Sequence, residues 1–320
     1  MAPTRVEAPP EIEAAARERA DARLARDWGT ADRLRAEIEA AGWHVIDSGT
    51  DYRLEPASPP DVEVGGEIRY GRSDAVPSRL DEPATGLASV VLVASPDGSE
   101  TRRSLDGLVA SAPDGVHVVV VADGLSDAML ENVPRSDGIE LVRTSARLGR
   151  ATALNIGIRR SGAPVAIVLD PSIVPSGDVV TPLTEALADP AVAIAGPLGL
   201  VSEDLRRFDE VVAAKAPRDA AAIEGYLMAF RRDDAAARGP LDEGFRFYRN
   251  LDIWWSLVLR DEGEGVPPRR ALVVPGLSFE RGEPHAWRTT AAADRDRLSK
   301  RNFYRVLDRF RTRRDLAVPG

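Results

Sequence analysis

The sequence predicts an α/β protein: a mostly parallel sheet with flanking helices, preceded by a small helical hairpin with a short β appendage. Three observations carry this. From Ala88 onward, apolar runs such as Val90–Ala94, Val116–Val121 and Pro164–Leu169 alternate with segments of helical spacing. The runs are nearly continuous rather than alternating, as strands covered on both faces require. Between Glu11 and Arg53 the apolar residues recur instead at helical intervals, and the segment closes on two short strand-like runs.

Composition bounds the function. With 320 residues and 43% hydrophobic content, the chain can build one large domain and one small one. No apolar run reaches membrane-spanning length. Met1 to Pro10 lacks the basic-then-apolar pattern of a signal segment, so a cytoplasmic protein is expected. Cysteine is absent, which excludes disulfides and thiolate metal sites. The net charge of −9 is unevenly spread: about −7 over residues 1–87, about −8 over 88–285 and about +6 over 286–320. That acidity argues against general nucleic-acid binding, which needs a basic footprint.

In chain order, Ile12, Ala16, Ala20 and Leu24 mark a first helix. After Asp27-Trp28-Gly29, the series Ala31, Leu34, Ile38 and Ala41 marks a second, and Gly42 is placed to end it. Trp43–Leu54 reads as a strand, a turn at Ser48-Gly49 and a second strand. This unit resembles the C-terminal module of cysteinyl-tRNA synthetases at Arg19, Ala22-Arg23, Arg26-Asp27-Trp28, Ala31 to Arg35, Gly42 and Ile46-Asp47. Aminoacylation is not implied, because the synthetase "H-I-G-H" and "K-M-S-K-S" motifs are absent. The readings are a structural or interaction module, or a contact with tRNA; the acidity of the segment favours the former. Residues 55–87, rich in Pro, Gly, Ser and Asp, read as a linker.

From Ala88 the pattern gives a strand over Val90–Ala94, a helix over Ser104–Ala112 and a strand over Val116–Val121. A short helix near Ser126–Glu131, a strand over Ile139–Arg143, a helix over Gly149–Arg160 and a strand over Pro164–Leu169 follow. Later strands are expected near Val192–Gly196, Ile223–Arg231 and Leu272–Val274. Strands joined by helical crossovers make a Rossmann-like sheet, whose ligands bind beyond the carboxyl ends of the strands. Asp97, Asp123 and Asp170 follow three of these strands and fall on that edge. They are either a ligand site or a set of turn and cap residues.

The motifs in this stretch resemble those of family 2 glycosyltransferases, from about Ala88 to Trp287. Ala122 to Asp127 is similar to the "D-D-G-S-T-D" loop, and Arg147-Leu148-Gly149 with Ala153 to Gly157 to "N-x-G…A-x-N-x-G". Leu169-Asp170-Pro171-Ser172 stands where the family has "L-D-x-D", and Gly225 to Arg232 matches "G-x-x-x-x-x-R-R". Gly239 to Gly263 resembles the acceptor-side turn and the "E-D-x-D" helix start, here Asn250-Leu251-Asp252. The resemblance implies a GT-A fold and transfer of a sugar, with inversion, from a nucleotide-sugar donor to a saccharide or lipid-linked acceptor.

It also implies roles. Asp97, Asp123, Arg147, Asn155 and Asp170 would bind the donor, and Asp252 would take the acceptor proton. Mg2+ or Mn2+ would sit at Asp170, with His285 completing the site. Several residues depart from the family pattern. Ser172 replaces the second acid of "D-x-D", Ala122 an acid of the base-binding loop, and Asn250 and Leu251 the usual base. A neutral hydroxyl is a poor ligand for a hard dication. Arg147, Arg150 or the helix N-terminus near Gly149 would then neutralise the diphosphate. The alternative is a catalytically silent domain that binds a nucleotide-sugar, a glycan or a protein. Trp254 and Trp255 either line an acceptor groove or pack in the core. The basic helix of residues 294–314 either packs on its own domain or lies on an anionic membrane at the inner face.

Overall fold

The computed structural model describes residues 8–48, 51–134, 136–211 and 215–320. The expected turn at Ser48-Gly49 and most of the Met1–Pro10 segment lie outside the described residues. The chain divides into two compact units, Met1–Arg72 and Ser73–Gly320.

In the first unit, helices α1 (Pro10–Leu24) and α2 (Trp28–Ala40) pack through Ile12, Ala16 and Ile38, with Trp43 against them. Asp27 Oδ1 accepts the Thr30 N–H at 3.1 Å and so starts α2. Leu24, expected on the apolar face, is exposed, because α1 ends there and offers it no neighbour. Strands β1 (Trp43–Ser48) and β2 (Asp51–Pro56) pair antiparallel. Arg19 is buried and grips Asp47 with two bonds of 2.9 and 3.0 Å, tying α1 to β1. The expected linker holds a further hairpin, β3 (Val62–Val64) with β4 (Glu67–Tyr70). Its strands are too short to show a period in sequence.

In the second unit, β5 (Ala88–Val93), β6 (Val116–Ala122), β7 (Ile139–Thr144) and β8 (Val165–Leu169) run parallel in the order β7-β6-β5-β8. Helices α3 (Gly98–Ser111) and α4 (Arg150–Arg159) form crossovers, whereas a single 3-10 turn at Ala128–Leu130 replaces the short helix expected before β7. Then come β9 (Ile173–Pro175), α5 (Val180–Ala186), β10 (Val192–Gly196), β11 (Gly199–Val201), β12 (Asp209–Glu210), β13 (Arg218–Ala220), β14 (Ala222–Ile223) and β15 (Leu227–Arg231). The chain continues through α6 (Arg232–Arg238), α7 (Leu251–Arg260), β16 (Arg270–Val273), β17 (Phe279–Arg281), α8 (His285–Thr289) and α9 (Ala292–Phe310).

Past β8 the sheet adds β15, β10, β16 and β13. Strand β15 is antiparallel to both β8 and β10. Two small pairings flank the sheet, β12-β11-β14 and β17-β9. The core is the apolar face of the central strands, with Val90, Leu92, Val118, Val120, Ile167 and Leu169 buried. Helix α4 presses directly on β5 at Gly157, where an added Cβ would stand 2.1 Å from Val91 Cγ1.

One difference from the sequence reading shapes the site. Ile223–Arg231 is not a continuous strand: β14 ends at Ile223 and β15 begins at Leu227. The break leaves Glu224-Gly225-Tyr226 outside the ladder, and the Asp170 N–H bonds the Tyr226 carbonyl at 2.8 Å. Helix α9 packs back on its own unit, with Val306 and Phe310 buried and Asn302 donating to the carbonyls of Phe247 and Arg249. Among the described residues no helix is long and apolar enough to cross a membrane.

Candidate functional site

A cavity of about 740 Å³ in the second unit is lined by residues from several segments, among them Arg150, Asp170, Glu224 to Tyr226, Asn250 to Ile253, and Arg281 to Pro284 with Trp287. Asp170 directly follows β8, so the cavity lies at the carboxyl end of a central strand, where such sheets bind ligands.

Asp170 is already engaged at both oxygens. Its Oδ2 accepts from Arg150 Nη2 at 3.1 Å, and its Oδ1 accepts from the Ser172 hydroxyl at 2.7 Å and the Ser172 N–H at 3.0 Å. The guanidinium comes from the first residue of α4. Three further arginines, Arg206, Arg249 and Arg281, line the same cavity. The result is a concave surface rich in forked, permanently charged donors, suited to diphosphate oxygens.

The other predicted donor-binding residues lie on the expected sheet edge but not in this cavity. Asp97 caps α3, accepting from the Ser99 N–H at 3.0 Å and hydroxyl at 2.7 Å. Those bonds, led by the hydroxyl, hold its carboxyl below the ordinary value, with help from Arg288 and His285. Asp123 accepts the Leu148 N–H at 2.7 Å on one oxygen and the Gly149 N–H at 3.0 Å on the other. Burial pushes its carboxyl up, and the two N–H bonds oppose that shift. Asn155 is buried and exchanges two bonds with Leu241, accepting its N–H at 2.8 Å and donating to its carbonyl at 2.9 Å. It therefore clamps the turn that leads to α7. Arg147 is exposed.

The N-terminus of α4 is not an open anion site, contrary to the sequence reading. The Arg150 and Ala151 N–H groups donate to the carbonyls of Arg246 and Phe245 at 3.1 and 3.2 Å. With Leu148 and Gly149 bound to Asp123, four successive N–H groups are taken. Gly149 makes this turn possible, since its φ of 108° disfavours any side chain.

Two further carboxylates line the cavity. Asp252 lies in the first turn of α7; its Oδ2 accepts the Gly225 N–H at 2.9 Å and its Oδ1 the Ile253 N–H at 3.0 Å. Desolvation pushes its carboxyl up. Glu224 is buried, and its Oε2 accepts from Arg281 Nη2 at 3.1 Å. Burial raises it to about 7; Arg281 opposes the shift, and the charges of Asp252 and Glu210 add to it. Arg281 in turn lies over the Tyr226 ring at 4.1 Å. Burial also raises the Tyr248 hydroxyl, to about 12, which keeps it a neutral donor at physiological pH.

The two tryptophans of α7 do not form the acceptor groove. Trp254 and Trp255 are buried, Trp255 against Phe230 of β15 and Trp254 against Phe245 and Arg309 of α9. Trp287 lines the cavity instead, with Arg249 and Arg295 over its ring at 5.3 and 4.0 Å. Sequence reasoning missed Glu224, Arg281, Tyr226 and Tyr248. The one available signal was an acid directly before Gly225.

The donor set does not fit a hard dication. Asp170 has an arginine and a hydroxyl on its oxygens, and the adjacent Ser172 offers a neutral hydroxyl rather than a second carboxylate. His285, the other candidate ligand, opens α8 outside the cavity lining, and its Nδ1 is buried without a partner. Among the described residues no group of three His, Asp or Glu side chains is placed to hold a metal.

Comparison with known proteins agrees with this fold. Residues 89–231 match the family model of Glycosyl transferase family 2. The solved structure of GalNAc-T7 with UDP, GalNAc and Mn2+ has a TM-score of 0.56 at 17% identity, covering 70% of this chain and 48% of that one. The mannosyltransferase PcManGT from Pyrobaculum calidifontis, in complex with GDP-Man and Mn2+, has a TM-score of 0.51 at 21% identity, covering 73% and 67%. A cysteine–tRNA ligase from Opitutus terrae is 50% identical over 58 residues, which is 18% of this chain and 13% of that protein. The chain therefore spans about half of the first structure and a small part of the ligase. Residues 89–231 are therefore similar to family 2 glycosyltransferases, and the sheet has the GT-A fold of these solved structures.

Proposed function

We propose that the protein transfers a sugar, with inversion, from a nucleotide-sugar donor to a saccharide or lipid-linked acceptor, and that arginines rather than a divalent cation hold the donor diphosphate. The observation that carries this is the Arg150–Asp170 pair inside the cavity. A departing nucleoside diphosphate gathers negative charge, and a fixed positive group beside it lowers the barrier. Arg150 is fixed by Asp170 and by the α4 backbone, so it needs little reorganisation. Tyr248 also lines the cavity, and its neutral hydroxyl can donate to a sugar. A displacement reaction also needs a base for the acceptor proton, and Asp252 and Glu224 are the carboxylates available in the cavity.

The silent-domain reading, a module that binds nucleotide-sugar, glycan or protein, draws on the losses at positions 122, 172, 250 and 251; a cavity with charged groups of both signs serves binding in either reading, and turnover separates them. With Val306 and Phe310 buried, the exposed face of α9, basic with Tyr304 on it, is the part free for a membrane surface or a lipid-linked acceptor. The first test is thermal stability of the full chain against UDP-, GDP- and dTDP-sugars, with Mn2+ and with EDTA. Stabilisation by one nucleotide, equal in both conditions, supports the reading. No stabilisation by any of them removes it.

A further inference from the structure

We propose that Glu224 takes the acceptor proton in place of the acid that the start of α7 lacks, and that Asp252 is a positioning residue. This rests on the transferase reading above.

The geometry separates the two carboxylates. Each Asp252 oxygen already accepts a backbone N–H, from Gly225 and from Ile253. The Gly225 bond fastens α7 to the residue next to Glu224, and an added Cβ at Gly225 would stand 3.1 Å from Asp252 Cβ. Asp252 thus fixes the backbone that carries Glu224. Asn250, at the position of the lost acid, has a left-handed φ of 65° and spends its amide on the Ser299 carbonyl at 2.9 Å. No base remains at that point of α7. Glu224 projects from the break between β14 and β15 into the same cavity and is held at Oε2 by Arg281.

The charged and titratable groups around Glu224 come from every neighbouring element. Arg281 of β17 is paired with it, Glu210 lies on β12, Asp252 on α7, and Tyr226 carries Arg281 on its ring. One cation opposes two anions at a buried carboxyl. That environment keeps a carboxyl basic enough to accept a proton near neutrality.

The step balances. The acceptor hydroxyl oxygen bonds to the anomeric carbon while the bond from that carbon to the diphosphate oxygen breaks. The bonding pair leaves with the nucleoside diphosphate, beside Arg150. The hydroxyl proton passes to a Glu224 oxygen and is later released to water.

The test uses the full chain with UDP-glucose, UDP-N-acetylglucosamine, GDP-mannose and dTDP-glucose, and water or methyl glucoside as acceptor. Release of nucleoside diphosphate is followed against pH for the parent, Glu224→Gln, Glu224→Asp and Asp252→Asn. The parent rate should rise through about pH 7. Glu224→Gln should lower the rate by about 100-fold or more, the usual worth of a general base, while nucleotide-induced thermal stabilisation persists. Glu224→Asp should keep part of the rate with a shifted limb, which also covers a Gln variant that folds poorly. Asp252→Asn should lower the rate but keep a limb, moved to lower pH by the loss of the Asp252 charge. Retention of the parent rate and limb in Glu224→Gln, or loss of the limb in Asp252→Asn alone, overturns the assignment and leaves the transferase reading standing. No release by the parent from any donor overturns both.

Discussion

Arg150 Nη2 stands 3.1 Å from Asp170 Oδ2, bridging the start of α4 and the end of β8 inside the cavity. A guanidinium therefore occupies the carboxylate on which a cation would depend. Asp170 fixes the fork of Arg150, and Ser172 completes the turn by filling the other oxygen. The charge is built into the chain and needs no loading.

The first prediction concerns that pair. Arg150→Met should weaken nucleotide-sugar binding by roughly 10- to 100-fold, the worth of a charge-assisted bond of about 1.5–3 kcal/mol. Asp170 would then face the diphosphate unpaired. Adding Ser172→Asp to Arg150→Met restores two acids without a competing cation, so nucleotide binding should become responsive to Mn2+. Titrations of both variants with and without Mn2+ check this; a parent protein already responsive to Mn2+ contradicts it.

Asp123 is predicted to act through the fold. Asp123→Asn can accept only one of the two N–H bonds from Leu148 and Gly149 and turns an amide donor toward the other. The cost should be about 1–3 kcal/mol. Denaturant unfolding reads this directly. An unchanged midpoint with lost nucleotide binding would assign Asp123 to the ligand instead.

Glu224 gives the protein a pH-dependent stability. Its folded value of about 7 lies above its ordinary 4.5, so the folded state binds the extra proton between those limits. The contribution is complete below about pH 4.5 and is lost as pH rises through about 7. Glu224→Gln should therefore match the parent near pH 4.5 and exceed it at pH 8 by at most about 3 kcal/mol. Equal offsets at both pH values would show that the carboxyl is not perturbed by burial.

Close packing at Gly157 makes a separate prediction. Gly157→Ala forces a methyl against Val91 and should destabilise the protein by about 1–3 kcal/mol. Val91→Ala in the same chain should recover part of that loss, a coupling that a double-mutant cycle measures. Simple additivity of the two changes would mean that the helix moves away instead.

Much of the fold was legible because strands β5, β6 and β8 are buried on both faces and so are written as Val and Ile runs. The three acids after them were correctly placed on one edge, since parallel strands end together. What the sequence did not reveal is which edge residues share a cavity. Asp97, Asp123 and Asn155 satisfy backbone groups, and this depends on partners as distant as Leu148 and Leu241. Arg150 was recognisable as a cation near the edge, but its partner lies 20 residues away. Glu224 was hidden for a different reason: apolar residues flank Glu224-Gly225-Tyr226 on both sides, so a broken strand reads like a whole one. The small β3–β4 hairpin escaped because three- and four-residue strands carry no period.

The most direct measurement of the central claim is a calorimetric titration of UDP-, GDP- and dTDP-sugars into the full chain in EDTA, repeated with Arg150→Met. Binding of one donor by the parent in EDTA, weakened by the substitution and unaffected by added Mn2+, is the predicted result. Binding that appears only with Mn2+, or that survives unchanged in Arg150→Met, would contradict it.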